Sequence, residues 1–252
     1  LTGKQTGLLI CFHFLKKGFA TGSHAKNTGF YGGFSSGPIS IGAEIAEKYM
    51  EFSKEKLFWV FNEGNNRQAL FRDDGDYFIF LQGLQKEVVP LCRVVAWCLV
   101  PQQFSILLKA TDQSEEVVKQ GSLELNSLAD GFRRTTASYG RYFNRKYFRS
   151  GSVIRPGTKS IEIPMVLDWG EEGYYREVFS FIHHQPRLTG LVQDPLAWPH
   201  SSYAFYAGKR TDDFCDREAW LALLGNRAGL GEGDLDVQLR PEFMHFVERS
   251  NW

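Results

Sequence analysis

Cysteine is scarce, with four in 252 residues. Cys11, Cys92, Cys98 and Cys215 show no paired spacing, which excludes a zinc-finger pattern and a secreted disulfide framework. Buried free thiols in a reducing cytoplasm are expected instead. Net charge is also lacking: 29 basic residues balance 29 acidic ones, so the total gives no argument for a nucleic-acid partner. Long apolar runs are absent. The longest near the start, "LLICFHFL", is about half of the ~20 residues needed to span a bilayer, and Lys16 and Lys17 follow it where an export signal would have small neutral residues. No membrane segment and no export are expected.

What remains is a chain with 43% hydrophobic residues, enough for a core in one domain with appendages or in two small ones. Residues 1–49 differ from the rest. They hold nine of the 25 glycines and show no sustained period in "TGSHAKNTGFYGGFSSGPIS". Either the coding region begins at Met50 and what precedes it is upstream sequence read in frame, or these residues form a flexible arm; in both cases little order is expected before residue 43.

From Lys56 onward the pattern is regular. "KLFWVF" reads as a strand and "NEGNNRQ" as a polar loop. Asp73 or Asp74 caps a helix with Tyr77, Leu81, Leu84 and Val88 on one face. "CRVVAWCLV" and "QFSILLKA" form two strands joined tightly at Pro101 and Gln102. A helix is expected from about Ser122 to Tyr147, then extended pieces in "GSVIRP" and "TKSIEI". A last core helix, "YYREVFSFIHH", should stop before Pro186, because proline disfavours helix in the residue before it. Strand, helix, two strands, helix, strand is the ferredoxin-like order, an α+β fold with an antiparallel sheet and helices on one face. Residues 209–252, with helix signals at Asp216 and Pro241 around the glycine-rich "GNRAGLGEGD", read as a small C-terminal helical appendage packed on the core or on a partner, mobile between its two helices.

One local absence stands out against the neutral total. From Phe132 to Lys159 there is no Asp or Glu, but there are eight cations: Arg133, Arg134, Arg141, Arg145, Lys146, Arg149, Arg155 and Lys159. Tyr139, Tyr142, Tyr147 and Phe148 lie among them. Aromatic rings beside phosphate-seeking side chains suit single-stranded nucleic acid, which needs stacking plus charge neutralisation. A second polar cluster, Asn62, Gly64, Asn65, Asn66, Arg67 and Gln68, offers amides for base edges and an arginine for phosphate or guanine, although Asn and Gly are also ordinary loop residues.

Four stretches, "FNEGNNRQALFRDDGDY", "CLVPQQFSILL", "YGRYFNRKYFRSGS" and "FIHHQPRLTGLVQDPLAWPHSSYAFYAG", together resemble the HUH single-tyrosine transposases of the REP-associated type, from about Met50 to Gly208. That resemblance implies a transposase-like domain over residues 50–208, commonly dimeric, that recognises single-stranded DNA hairpins. It also implies strand cleavage through a 5′-phosphotyrosine link, with a divalent metal such as magnesium held by a His-hydrophobic-His pair on a strand and a tyrosine nucleophile on a helix.

At the positions matching the histidine pair this sequence has Gln103 and Ser105. At the tyrosine position it has Phe181, with Gln185 one helical turn later. A neutral amide and a hydroxyl are poor replacements for two imidazoles, and phenylalanine keeps the ring without the nucleophilic oxygen. His183 and His184, adjacent on a helix, diverge by about 100 degrees and make no ready metal pair. The catalytic set is therefore expected to be lost, with no bound metal or other cofactor.

The DNA-binding set expected to remain is Asn62, Asn65, Asn66, Arg67, Arg133, Arg134, Arg141, Arg145, Lys146, Arg149 and Lys159. The implied protein is a cytoplasmic, nucleoid-associated DNA-binding pseudoenzyme and a possible homodimer. An active nicking and joining enzyme and a relic without useful binding are the other readings.

Overall fold

The computed structural model describes residues 50–121, 123–164, 174–211, 214–224 and 238–249, all within one compact unit. The expectation about residues 1–49 lies outside them, as does the proposed mobile link at residues 225–234.

Four strands form the main sheet: β1 (Leu57–Glu63), β2 (Cys92–Val100), β3 (Gln103–Ala110) and β6 (Lys159–Ile163), in the order β2-β3-β1-β6 with every neighbouring pair antiparallel. That is the ferredoxin-like arrangement. Pro101 and Gln102 form the two-residue link between β2 and β3, with Val100 opposite Gln103. Central strands covered on both sides read as continuous apolar runs, and β1 is buried from Leu57 to Phe61.

The two faces of the sheet are covered by different helices. Helix α1 (Asp74–Glu87) is capped by Asp73, whose side chain accepts from the Asp76 N–H. Together with α3 (Ser127–Lys146) it covers the face that carries Phe58 and Phe104: Phe80 lies 5.0 Å from Phe104, and Phe52 bridges Phe58 and Phe132. Phe80, fully buried, belongs to the packed face of α1 along with the expected Tyr77, Leu84 and Val88, whereas Leu81 is only partly buried. The opposite face, carrying Trp59, is covered by α4 (Tyr175–Leu188), with the rings of Trp59 and Phe181 edge to face at 5.7 Å.

Two details differ from the sequence reading. The helix expected from Ser122 begins at Ser127. Before it, the short helix α2 (Asp112–Glu115) leads into a two-stranded hairpin, β4 (Val117–Gln120) and β5 (Leu123–Asn126), which turns at Gly121 with φ 64°. Helix α4 runs through Pro186 to Leu188. The proline removes only the bond to the Ile182 carbonyl, and the helix stops at Gly190 (φ 75°), where the Gly190 and Leu191 N–H groups donate to the Arg187 and Pro186 carbonyls. Past the four-residue helix α5 (Tyr203–Tyr206), helices α6 (Arg217–Leu223) and α7 (Pro241–Arg249) pack on the core, one of the two placements open to the C-terminal residues. Trp220 stacks on Phe179 at 3.9 Å, and Phe243 sits 5.8 Å from Phe181.

Candidate nucleic-acid interface

The loop after β1 is shaped by Gly64. A Cβ there would lie 1.9 Å from the Gln68 carbonyl oxygen, so only glycine lets the chain turn this tightly. Asn62 is buried and fully used: its Nδ2 donates to the Arg155 carbonyl at 2.9 Å and to Thr158 Oγ1 at 3.0 Å, while its Oδ1 accepts from the Glu63 N–H. Its amide anchors the Arg155–Thr158 segment instead of facing a base. The Asn65 N–H donates to the Val153 carbonyl. Asn66 and Arg67 are exposed and both adopt left-handed backbone, with φ 56° and 58°.

Acidic partners for the basic stretch come from outside it. Arg133 binds Asp130, and Arg134 binds Glu87 of α1 as well as Asp130. Arg155 binds Glu63. Lys146 reaches Asp73 at 2.6 Å and the fully buried Asp76 at 2.7 Å. Asp76 also accepts from the Tyr147 hydroxyl (2.8 Å), the Tyr142 hydroxyl (3.3 Å) and the Arg72 N–H (2.8 Å). Partial burial works against the Lys146 charge, but the hydrogen bonds it donates to Asp73 and Asp76 outweigh it and hold its pKa above the ordinary value. Tyr139 is buried and donates to the Leu70 carbonyl. The three tyrosines therefore join α3 to α1 and the chain before it.

Two cations on α3 are different. Arg141 and Arg145 are exposed, one turn apart, and make no ion pair or hydrogen bond with any described residue. Just past the helix, Phe148 is 98% exposed. Arg149 then turns back, donating from its guanidinium to Gln68 Oε1 at 2.7 Å and lying 5.6 Å over the Phe143 ring. That bond joins the basic helix to the Asn-rich loop, bringing together two clusters 81 residues apart in sequence. Lys159 stands apart on β6, over Phe61 at 5.8 Å, its pKa lowered by burial and by Arg155.

Ser105 and Phe181 both contact Trp59 on the α4-covered face, which Gln103 shares by strand alternation. Ser105, fully buried, accepts from Trp59 Nε1 at 2.7 Å. The polar residue in the apolar strand thus serves an indole N–H on the neighbouring strand. Gln103 Nε2 and both amide atoms of the fully buried Gln185 have no hydrogen-bond partner among the described residues. For the divalent ion that the transposase resemblance implies, Gln103 and Ser105 supply one neutral amide and one hydroxyl already turned to an indole, a donor set that does not fit.

His183 is fully buried on the same helix, its Nε2 2.7 Å from Ser202 Oγ, and burial pushes its pKa down from 6.5 to about 3. The folded chain therefore holds this imidazole neutral while the unfolded chain protonates it below pH 6.5. Stability from this group is present above pH 6.5 and is lost as pH falls toward 3, with a limiting slope of about 1.4 kcal/mol per pH unit. Urea melts of wild type and His183→Gln across pH 7 to 4 should show the wild type losing stability more steeply. Parallel curves would refute a neutral buried His183. His184 instead pairs through Nδ1 with the Ser180 carbonyl at 2.9 Å.

No family model matches the chain, nor does any curated protein. Among solved structures, it is similar to a REP-associated tyrosine transposase bound to a REP hairpin, at 15% identity and a TM-score of 0.47, over 69% of this chain and 96% of the other.

Proposed function

We propose that the chain is a DNA-binding relative of the REP-associated single-tyrosine transposases that recognises single-stranded or hairpin DNA in the cytoplasm without cutting it. One observation carries this reading. Arg141 and Arg145 stand exposed and, among the described residues, without acidic partners, on a helix whose other cations are paired, and a solvent-exposed phenylalanine follows them. A free cation on a protein surface gains most by replacing the counterions of a phosphate backbone. The loop bonded to this helix through Gln68 adds exposed Asn66 and Arg67 for contacts to bases or phosphates.

Loss of cleavage is supported by the other face of the sheet. Cleavage in the family requires a metal and a tyrosine hydroxyl. Here Ser105 is committed to Trp59, and Phe181 is a ring packed against Trp59 and Phe243. Binding accordingly needs no divalent ion.

Titration of the chain against labelled hairpins and matched duplexes at two salt concentrations, with EDTA present, tests the reading. Hairpin-selective binding should weaken with salt, the slope in log units being about −0.7 for each single-strand phosphate contacted. No binding at low salt from a folded sample would refute it, and metal-dependent cleavage with a covalent protein adduct would refute the loss of catalysis.

A further inference from the structure

We infer that Phe148 is a stacking post for one unpaired nucleobase beside a hairpin stem, an assignment that rests on the DNA-binding reading and narrows the substrate to a hairpin with a single-stranded flank. Two features of this residue work against an incidental role. The side chain is 98% exposed, the most exposed large hydrophobic residue described. Its backbone lies at φ 50°, in the left-handed region that residues other than glycine rarely adopt. Glycine or asparagine would suit that conformation better and would expose no apolar surface.

The segment holding the ring is fixed on both sides. Tyr147 ends α3 with its N–H on the Phe143 carbonyl, and the Arg149 N–H donates to the Asn144 carbonyl at 3.0 Å. Asn144 Nδ2 in turn donates to the Gly151 carbonyl at 2.8 Å, closing the turn from the far side. The Arg149 guanidinium is held by Gln68. The backbone is thus anchored while the ring projects into solvent, a preorganised arrangement that costs a partner little ordering on binding.

The surroundings identify the partner. Arg145 and Arg141 lie three and seven residues before the ring, about 6 Å apart along the helix axis, both exposed and without acidic partners among the described residues. An aromatic face at the end of a row of free guanidinium groups matches a strand whose phosphates follow the cations while one base stacks on the ring. Bases within a duplex are already stacked on both sides, so only an unpaired base can use the post. An apolar protein surface would gain nothing from the two arginines.

The experiment uses hairpins with a short single-stranded tail on one or the other side of the stem, with 2-aminopurine at the first unpaired position, against blunt hairpins of the same stem. Wild type should quench the probe on one tail and bind that tailed hairpin more tightly than the blunt one. Phe148→Ala should lose the quenching and weaken binding of the tailed hairpin about tenfold, leaving the blunt hairpin unchanged. Phe148→Trp should retain both properties. The ring is almost wholly solvent-exposed, so the melting curve should not fall in either variant. An unchanged ratio of tailed to blunt affinity in Phe148→Ala, while wild type binds normally, overturns the stacking post alone. Failure of wild type to bind any hairpin overturns the DNA-binding reading with it.

Discussion

Asp76→Ala is expected to destabilise the fold by about 3 kcal/mol, the effect of breaking a buried charge pair by removing one partner. The carboxylate is fully buried between the start of α1 and the end of α3, and it accepts from Lys146, Tyr147, Tyr142 and the Arg72 N–H. Alanine would take the acceptor from the Tyr142 hydroxyl and the Arg72 N–H and leave Lys146 and the Tyr147 hydroxyl with Asp73 alone. For a domain of this size the melting temperature should drop by roughly 10 °C. Asp73→Ala should cost less: Asp73 is half exposed and shares Lys146 with Asp76, although it also caps α1. Thermal melts of the two variants check this ordering. A smaller loss in Asp76→Ala than in Asp73→Ala would show that the buried carboxylate does not join the two helices.

Asp76 also shows where sequence reading stops. Charge along the sequence places Lys146 among DNA-binding cations because the stretch around it has no acid. Its partners lie 70 and 73 residues earlier, on a helix that meets α3 only after folding. Arg134 and Arg155 are paired through the same kind of contact, with Glu87 and Glu63, whereas Arg133 pairs with Asp130 one turn earlier on its own helix. Local charge counting cannot see such pairs, because it lists side chains without the neighbours that tertiary packing supplies.

The elements that could be read are those with a local cause. The β2–β3 hairpin declares itself by two apolar strands around a proline turn, and α1 by its cap and apolar period. The β4–β5 hairpin was missed because four-residue strands give too few alternations to separate them from the start of the following helix. Ser105 illustrates a subtler limit. Its position on the same strand face as Gln103 was legible from the alternation, but its hydrogen bond to an indole on β1 was not, since register between strands is set by pairing and not by either strand alone. The two clusters proposed for DNA, the loop and the helix, could each be read, whereas their junction at Gln68 and Arg149 could not.

The sorting of cations leads to the second large effect. Arg141→Glu/Arg145→Glu is expected to reduce hairpin affinity roughly 30-fold at low salt and to make its salt dependence shallower by about 1.4 log units per log unit, the contribution of two single-strand phosphate contacts. Stability should be almost unchanged, because neither arginine bonds to a described residue. Arg133→Glu/Arg134→Glu changes net charge by the same amount on the same helix but should behave in the opposite way. It places two carboxylates against Asp130 and Glu87, so the fold weakens while the hairpin affinity of the remaining folded fraction changes much less. Long-range field alone would affect binding equally in the two pairs, whereas direct contact at the Arg141 and Arg145 stripe affects only the first. Hairpin titrations at two salt concentrations, normalised to the folded fraction from melts, separate these cases. Equal losses of affinity in the two double variants would reduce the interface to a diffuse positive field, and an unimpaired Arg141→Glu/Arg145→Glu protein would remove this stripe from the interface.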